Sequence, residues 1–457
     1  MEQREKLKSR LGFILISAGC AIGLGNVWTF PWRTSISGGG AFVLIYLLCC
    51  VIVGLPVMVA EFTIGRKAQV SPVRMWKKLE KPGQKWGAFG VLGLVGNVAL
   101  MAFYTTISGF IWYYFIKFLL GKSGDLSFSG TYGNIPVAVG FMILVVVLGF
   151  FILSFDLQKG LESVTKNLMV GLFFLMIVLA IYVCTLPGAK AGLSFYLKPD
   201  FSVVTPMTFI KALNQSFFSL SLGMGSMAIF GSYIGKERSL LGESVNVVAL
   251  DTLAALLAGF IIFPVVYTYS DGIQIPGPEL LFTTMANLFN NMGFAGRILG
   301  SLFFLFMIFA SMSTVFAVLE NILAMVRELT GWSRKKGCRI LGAGIIAISI
   351  PMALGGSVFR NIFYFAEDGP GFGFLDFWSM IVEKICQPLG AIAMLLFVSW
   401  GKIGMGWTEF LAEANAGKGL KVAKWMRVLF GIIAPAIILF VFIYGLATYG
   451  WAFCPEG

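Results

Sequence analysis

The stretch AIGLGNVWTFPW, residues 21–32, lies inside one of the most apolar parts of the chain, yet it carries Gly23, Gly25, Asn26 and Pro31. A helix in hydrocarbon has little use for residues that loosen it, because each backbone N–H or C=O left without a partner there costs several kcal/mol. The stretch makes sense if the helix is meant to open at this point and hold something polar.

The rest of the chain places that helix in a membrane. Of 457 residues only 12% are charged, against roughly 25% in soluble domains, and the mean hydropathy is +0.87. About eleven apolar stretches are long enough to cross a roughly 30 Å hydrocarbon core as helices. They lie near residues 11–36, 41–65, 87–119, 136–154, 163–185, 206–234, 243–270, 296–326, 338–354, 375–400 and 426–450. The start MEQREKLKSR is charged and lacks a small-residue cleavage site, so the first stretch is expected to stay as a permanent span.

The basic residues set an orientation. Counted from a cytoplasmic N-terminus, the inner segments around residues 4–10, 66–85, 159–166, 236–238, 327–339 and 402–427 hold most of the 34 Lys and Arg. The positive-inside bias therefore predicts a cytoplasmic N-terminus and, after eleven spans, an external C-terminus, in a plasma (inner) membrane. The net charge of +12 reads as a topology signal, and no nucleic-acid partner is expected. Seven cysteines, mostly within spans and without CxxC spacing, suggest neither a disulfide framework nor a zinc site. The chain has no histidine, the commonest general base and metal ligand.

No soluble domain, long linker or low-complexity tract interrupts the spans, so the chain reads as one membrane domain. The first span contains GLGN and the sixth LGMG, five spans apart. Five is odd, so the two run in opposite directions, as an inverted-topology repeat requires. Either glycine cluster alone is explained by close helix packing. Two clusters in corresponding positions, each beside an amide or hydroxyl, favour discontinuous helices around a central site. Half-helix N-termini suit a carboxylate there, and unwound carbonyls suit Na⁺ or an ammonium group. An amino-acid zwitterion with sodium satisfies both.

At these residues the chain resembles a known family. SRLGFILISAGCAIGLGNVWTFPW, GGGAF, GLPVMVAEFTIGR, SLSLGMG and FASMSTVFAVLENI are similar to the neurotransmitter:sodium symporter family, specifically its bacterial amino-acid transporters. The resemblance implies an all-α polytopic membrane protein of two inverted five-helix repeats, residues 1–185 and 206–400, with 426–450 as an additional helix 11. It also implies Na⁺-driven uptake by alternating access, with a monomer as the functional unit and no enzymatic activity.

Carried over position by position, the first sodium site would use the Ala21 carbonyl, the Asn26 side chain, Ser219, Asp251 and the substrate's own carboxylate. The second would use the carbonyls of Gly19, Ile22 and Ala310 with the hydroxyls of Ser313 and Thr314. Hydroxyls such as those of ASMST often bond back to their own helix, and it is the resemblance that makes them ligands. Asp251 stands out without it, because an ionisable residue within a span is costly and functional by default; a helix-end position near the cytoplasmic face is the alternative. Many family members have Asn there and use chloride, whereas some bacterial ones have an acid, so chloride-independent transport is expected.

The substrate carboxylate would meet the amides of Leu24 and Gly25 and the hydroxyl of Tyr104. Ala21, Gly23, Ser219, Leu222, Gly223 and Thr314 complete the surroundings. Members carrying biogenic amines have an aspartate where this chain has Gly23, so the substrate should bring its own carboxylate. Its side chain would lie among Cys20, Leu100, Phe218, Ser221, Met224 and Val318. That lining has no charge and points to a neutral hydrophobic or aromatic L-amino acid, with Met224, in place of an aromatic, adaptable to larger ones.

The gates depart from the family. The outer-gate arginine position holds Thr29; Arg33, one turn on, is the substitute expected to pair with Asp376. Inside, Arg4 and Glu328 match the expected pair, Tyr233 supports them, and Leu7 stands where a Trp is usual. A Gly-x9-Pro pattern begins at Gly160 but reaches Val170. Glu61, also within a span, is expected to cap backbone groups of the broken sixth helix. A membrane enzyme lacks acid–base residues here, and a channel would use a symmetric pore. A transport-deficient amino-acid sensor of the same fold is the remaining alternative, because Thr29 and Val170 sit at moving parts.

Overall fold

The structure, a computed structural model, describes residues 7, 9–155, 157–269, 277, 279–359 and 374–448. These residues form helices and no strand; extended backbone pairs only at two isolated bridges, Gly39 with Pro199 and Arg238 with Lys418. Among the described residues nine helices are long and apolar enough to cross a membrane. They are Gly40–Ala68, Gly87–Leu119, Ile135–Leu153, Gly160–Val183, Leu240–Tyr269, Gly293–Thr330, Arg334–Ala353, Phe377–Ser399 and Lys424–Ala447. A tenth passage is the bent pair Arg10–Ala21 and Gly25–Ile36, whose axes turn by 52° at the break. The sixth span in chain order, expected over 206–234, is Pro206–Ser219 followed by Ser226–Gly231, each too short to cross alone.

Both breaks follow from their residues. The first half-helix starts at Ser9, whose hydroxyl accepts from the Gly12 amide, and ends where Ile22 takes an extended conformation, ψ 101°. After Leu24 the chain makes a wide turn over Gly25–Thr29, closed by the Phe30 amide donating to the Gly25 carbonyl five residues back. Pro31, which has no N–H to give, sits in the first turn of the helix that follows. In the sixth span Ser221, Gly223 and Gly225 have φ of +52°, +89° and +76°. Three left-handed residues out of five end a right-handed helix, and glycine adopts that conformation at least cost.

The broken spans lie at the centre of the molecule. The most apolar window of Gly293–Thr330 is 83% buried, against 33% for Ile135–Leu153 and for Gly160–Val183. The latter two form the rim, and on the second of them Val170, Phe174, Ile177 and Ile181 are exposed at helical spacing. Val170, where the pattern lacks its proline, thus faces outward. The helix widens instead at its N-terminal end, in a π-turn over Gln158–Glu162 that contains Gly160.

Candidate functional site

The two breaks meet at Gly25. A Cβ at that position would stand 3.0 Å from the Ser219 Cα and 3.2 Å from the Phe218 ring, so only glycine lets the backbones approach this closely. Ser221 donates to the Cys20 carbonyl at 2.9 Å, tying one break to the other. The exposed amides of the sixth span are answered from the second: Glu61, fully buried, accepts from Gly223 N at 2.5 Å and from Met227 N at 3.1 Å. This is the capping that an acid inside that span suggested. Asn97 of the third span donates to the Met224 carbonyl at 2.9 Å and accepts from Ser226 at 3.0 Å.

Beside the breaks lies a carboxylate among neutral groups. Asp251 is 0% exposed and sits mid-helix in Leu240–Tyr269, which rules out a helix-end position. Asn26 Nδ2 donates to Asp251 Oδ1 at 2.8 Å, Ser219 Oγ to Oδ2 at 3.0 Å, and Tyr46 bonds both Ser219 (2.9 Å) and, more loosely, Oδ2 (3.5 Å). Asn26 Oδ1 in turn accepts from Gly23 N at 3.1 Å, which places Asn26 between the broken backbone and the acid. The ion pairs among the described residues include no partner for Asp251. A buried carboxylate costs least when a cation neutralises it.

A second oxygen cluster lies on the other side of the first break. The Thr314 hydroxyl is 3.3 Å from each of the carbonyls of Gly19, Cys20 and Ile22 and 3.5 Å from that of Ala310. Ser313 Oγ is 2.9 Å from the Ala310 carbonyl and 3.4 Å from that of Ile22. Two hydroxyl protons cannot satisfy so many converging acceptors. Hard oxygens without thiolate or imidazole suit an alkali or alkaline-earth cation.

Between the clusters the Leu24 amide donates to the Tyr104 hydroxyl at 3.0 Å. A Cβ on Gly23 would collide with that hydroxyl and come within 2.5 Å of Thr314 Oγ1, so a side chain at 23 would have to displace both hydroxyls. Cys20, Leu100, Phe218, Ser221, Met224 and Val318 are all buried. Of these, Met224 directs its sulfur at Gly96 of the third span.

The residues expected at the gates have further partners. Arg33, 4% exposed, donates from Nη2 to Glu383 at 2.6 Å and from Nη1 to Gln215 at 2.9 Å. Gln215 also bonds Thr29 (2.9 Å) and the Gly25 carbonyl (2.7 Å). Residue 383 is therefore an acidic partner of Arg33 that the sequence reading missed, and the side chain of Asp376 lies outside the described ones. An ionisable residue within a span, the signal that singled out Asp251, was present at Glu383 too. Of the pair expected at the inner gate, Arg4 lies outside the described residues; Glu328 accepts from the Ser71 amide and hydroxyl at 2.6 to 3.0 Å. Tyr233 reaches Glu320 at 3.4 Å, where Arg334 forms a two-pronged ion pair at 2.6 and 3.1 Å.

Comparison with known proteins places this fold in a family. The family model described as the sodium:neurotransmitter symporter family matches residues 4–124 and 126–453. The sodium-dependent transporter YhdH of Bacillus subtilis is 32% identical over 457 residues, 96% of this chain and 98% of its own. A serotonin transporter of Drosophila melanogaster, described as sodium-dependent, is 25% identical over 98% of this chain and 77% of its own. Among solved structures, MhsT in complex with L-phenylalanine superposes with a TM-score of 0.86 at 35% identity, over 96% of this chain and 99% of that one. A match that runs nearly end to end in sequence and in fold leaves one conclusion: this chain belongs to the sodium:neurotransmitter symporter family, whose members are multi-pass membrane transporters that depend on sodium, not enzymes.

Proposed function

We propose that the chain is a symporter that carries a neutral hydrophobic or aromatic L-amino acid inward with Na⁺, without chloride, by alternating access. The observation that carries this reading is Asp251: a fully buried carboxylate held by Asn26, Ser219 and Tyr46 supplies the fixed negative charge that a sodium ion needs. The first ion lies among the Ala21 carbonyl, Asn26, Ser219, Asp251 and the substrate carboxylate. The second lies among Gly19, Ile22, Ala310, Ser313 and Thr314. The substrate carboxylate takes the place of the Tyr104–Leu24 contact, bonding both groups and the Gly25 amide. Because residue 23 is glycine and not an acid, an amine without its own carboxylate finds no counter-charge at that position. The phenylalanine in the MhsT structure and the uncharged lining from Cys20 to Val318 favour an apolar side chain.

In this reading Arg33, with Asp376 as expected and with Glu383 and Gln215 beside it, closes the outer path, and Arg4, Glu328 and Tyr233 close the inner one. Residues 1–185 and 206–400 act as the two inverted repeats. The unit is a monomer in the inner membrane, N-terminus in the cytoplasm and C-terminus outside.

The test is uptake of a panel of labelled amino acids into proteoliposomes with Na⁺ exchanged for K⁺. Neutral apolar amino acids should accumulate only with Na⁺, equally in chloride and gluconate. Accumulation indifferent to Na⁺ defeats the coupling, and saturable binding without accumulation is the result a sensor would give. Thr314→Val keeps the side-chain shape and removes one oxygen from the second cluster. Hydrogen bonds to a charged group contribute about 1.5–3 kcal/mol, so half-maximal uptake should require at least about tenfold more Na⁺, checked by titrating Na⁺ at fixed substrate.

A further inference from the structure

The third span passes both breaks along one face. Tyr104, Leu100 and Gly96, four residues apart, follow one another along it. Tyr104 meets the first break at Leu24, and one turn beyond Leu100 the face meets the second break at Met224. Two glycines lie there and do different things. A Cβ on Gly93 would stand 2.9 Å from the Met224 carbonyl, which is ordinary close approach of backbones. A Cβ on Gly96 would stand 2.8 Å from Met224 Sδ and 3.4 Å from its Cγ, with Cys386 Cβ 3.3 Å away on the far side. The gap at Gly96 is thus filled by the end of a flexible side chain and walled by the tenth span.

The backbone that bears this side chain is pinned. The Met224 carbonyl accepts from Asn97, and the amides on either side of it, at 223 and 227, both donate to Glu61. An intruding methyl at 96 is therefore relieved mainly by the thioether, with Cys386 giving by a few tenths of an ångström.

We infer that Gly96 sets the depth of the substrate side-chain pocket, because the space left by its missing Cβ takes the Met224 thioether away from Leu100 and leaves that volume to the substrate. This rests on the amino-acid reading above and adds a specificity-determining residue that does not itself touch the substrate. With Gly96 the pocket admits an aromatic side chain. With alanine there the sulfur swings back toward Leu100 and the pocket becomes shallower.

The experiment compares Na⁺-driven uptake of labelled alanine, leucine and phenylalanine by the full chain in proteoliposomes. One methylene more or less in an apolar pocket changes discrimination by about tenfold or more. Gly96→Ala should therefore lower the preference for phenylalanine over alanine by about tenfold while alanine uptake continues. Met224→Ala should raise that preference, and the double variant should match Met224→Ala alone, because the added methyl then meets no thioether to push toward Leu100. Met224→Leu, branched at Cγ and unable to enter the gap, should shift preference in the same direction as Gly96→Ala and carries the test should the latter fail to fold. An unchanged ratio in Gly96→Ala, or a shift that persists in the Met224→Ala background, overturns the inference. Loss of Na⁺-driven uptake of every neutral amino acid by the unaltered chain instead overturns the substrate assignment on which it stands.

Discussion

Asp251→Asn should cut Na⁺-driven uptake in chloride-free medium by a factor of about a thousand, with partial recovery when chloride is supplied. The substitution preserves shape, and the amide oxygen can still accept from Asn26, while the NH2 group that replaces the other oxygen no longer accepts from Ser219 and Tyr46, the hydroxyls that reach the acid at 3.0 and 3.5 Å. What disappears is one unit of negative charge in a site with 0% exposure. Two unit charges about 4 Å apart interact by about 4 kcal/mol at an effective dielectric of 20, which corresponds to the stated factor. Recovery by chloride is expected because the hydroxyls of Tyr46 and Ser219, released from the acid, can donate to an anion instead. The check is initial uptake against Na⁺ concentration in chloride and in gluconate. Undiminished uptake in both would remove Asp251 from the ion site.

Arg33→Met should be the most destabilising single change among the gate residues. The pair with Glu383 is buried at both ends, 5% and 6% exposed in the side chains, and removing one member of a buried pair costs about 3–5 kcal/mol because the other charge is left without compensation. A lower thermal midpoint in detergent is the expected readout. Replacing both residues, Arg33→Met with Glu383→Leu, should restore the midpoint, since an apolar pair of similar volume is often as stable as the ions it replaces. The double variant should nevertheless transport poorly, because the partners that Gln215 and Arg33 join across three spans would no longer engage and release. A double variant that transports normally would show that the pair serves stability alone.

How far the sequence carries can be judged from these two cases. Asp251 was legible because an acid in the middle of an apolar run has one dominant reading, and the two breaks were legible because glycine and proline act on their own backbone. Arg33 was legible as a charge, but Glu383 as a partner was not. Which acid of the tenth span faces it depends on how three helices pack and on the phase of that helix. A π-turn over Ile381–Cys386 inserts an extra residue and rotates the face beyond it, so spacing from Asp376 does not report what Glu383 meets. Met224 shows the same limit: its place in the pocket lining came from resemblance, whereas the side chain's direction follows from an absent Cβ on another span. Gln215, Tyr46 and Asn97 escaped notice because a neutral polar residue in a membrane helix has too many ordinary uses.

The carboxylate of Glu61 grips the main chain on both flanks of the sixth-span opening, and Asn97 braces its middle. At the first-span opening no acid among the described residues bonds the main-chain amides directly; besides Ser221 and Gln215, its bend rests on Asn26 and the hydroxyls of Thr314 and Tyr104, groups that the cargo itself would engage. The two openings are consequently unequal in mechanical terms: one is a stiff frame and the other a joint whose stiffness depends on what is loaded into it.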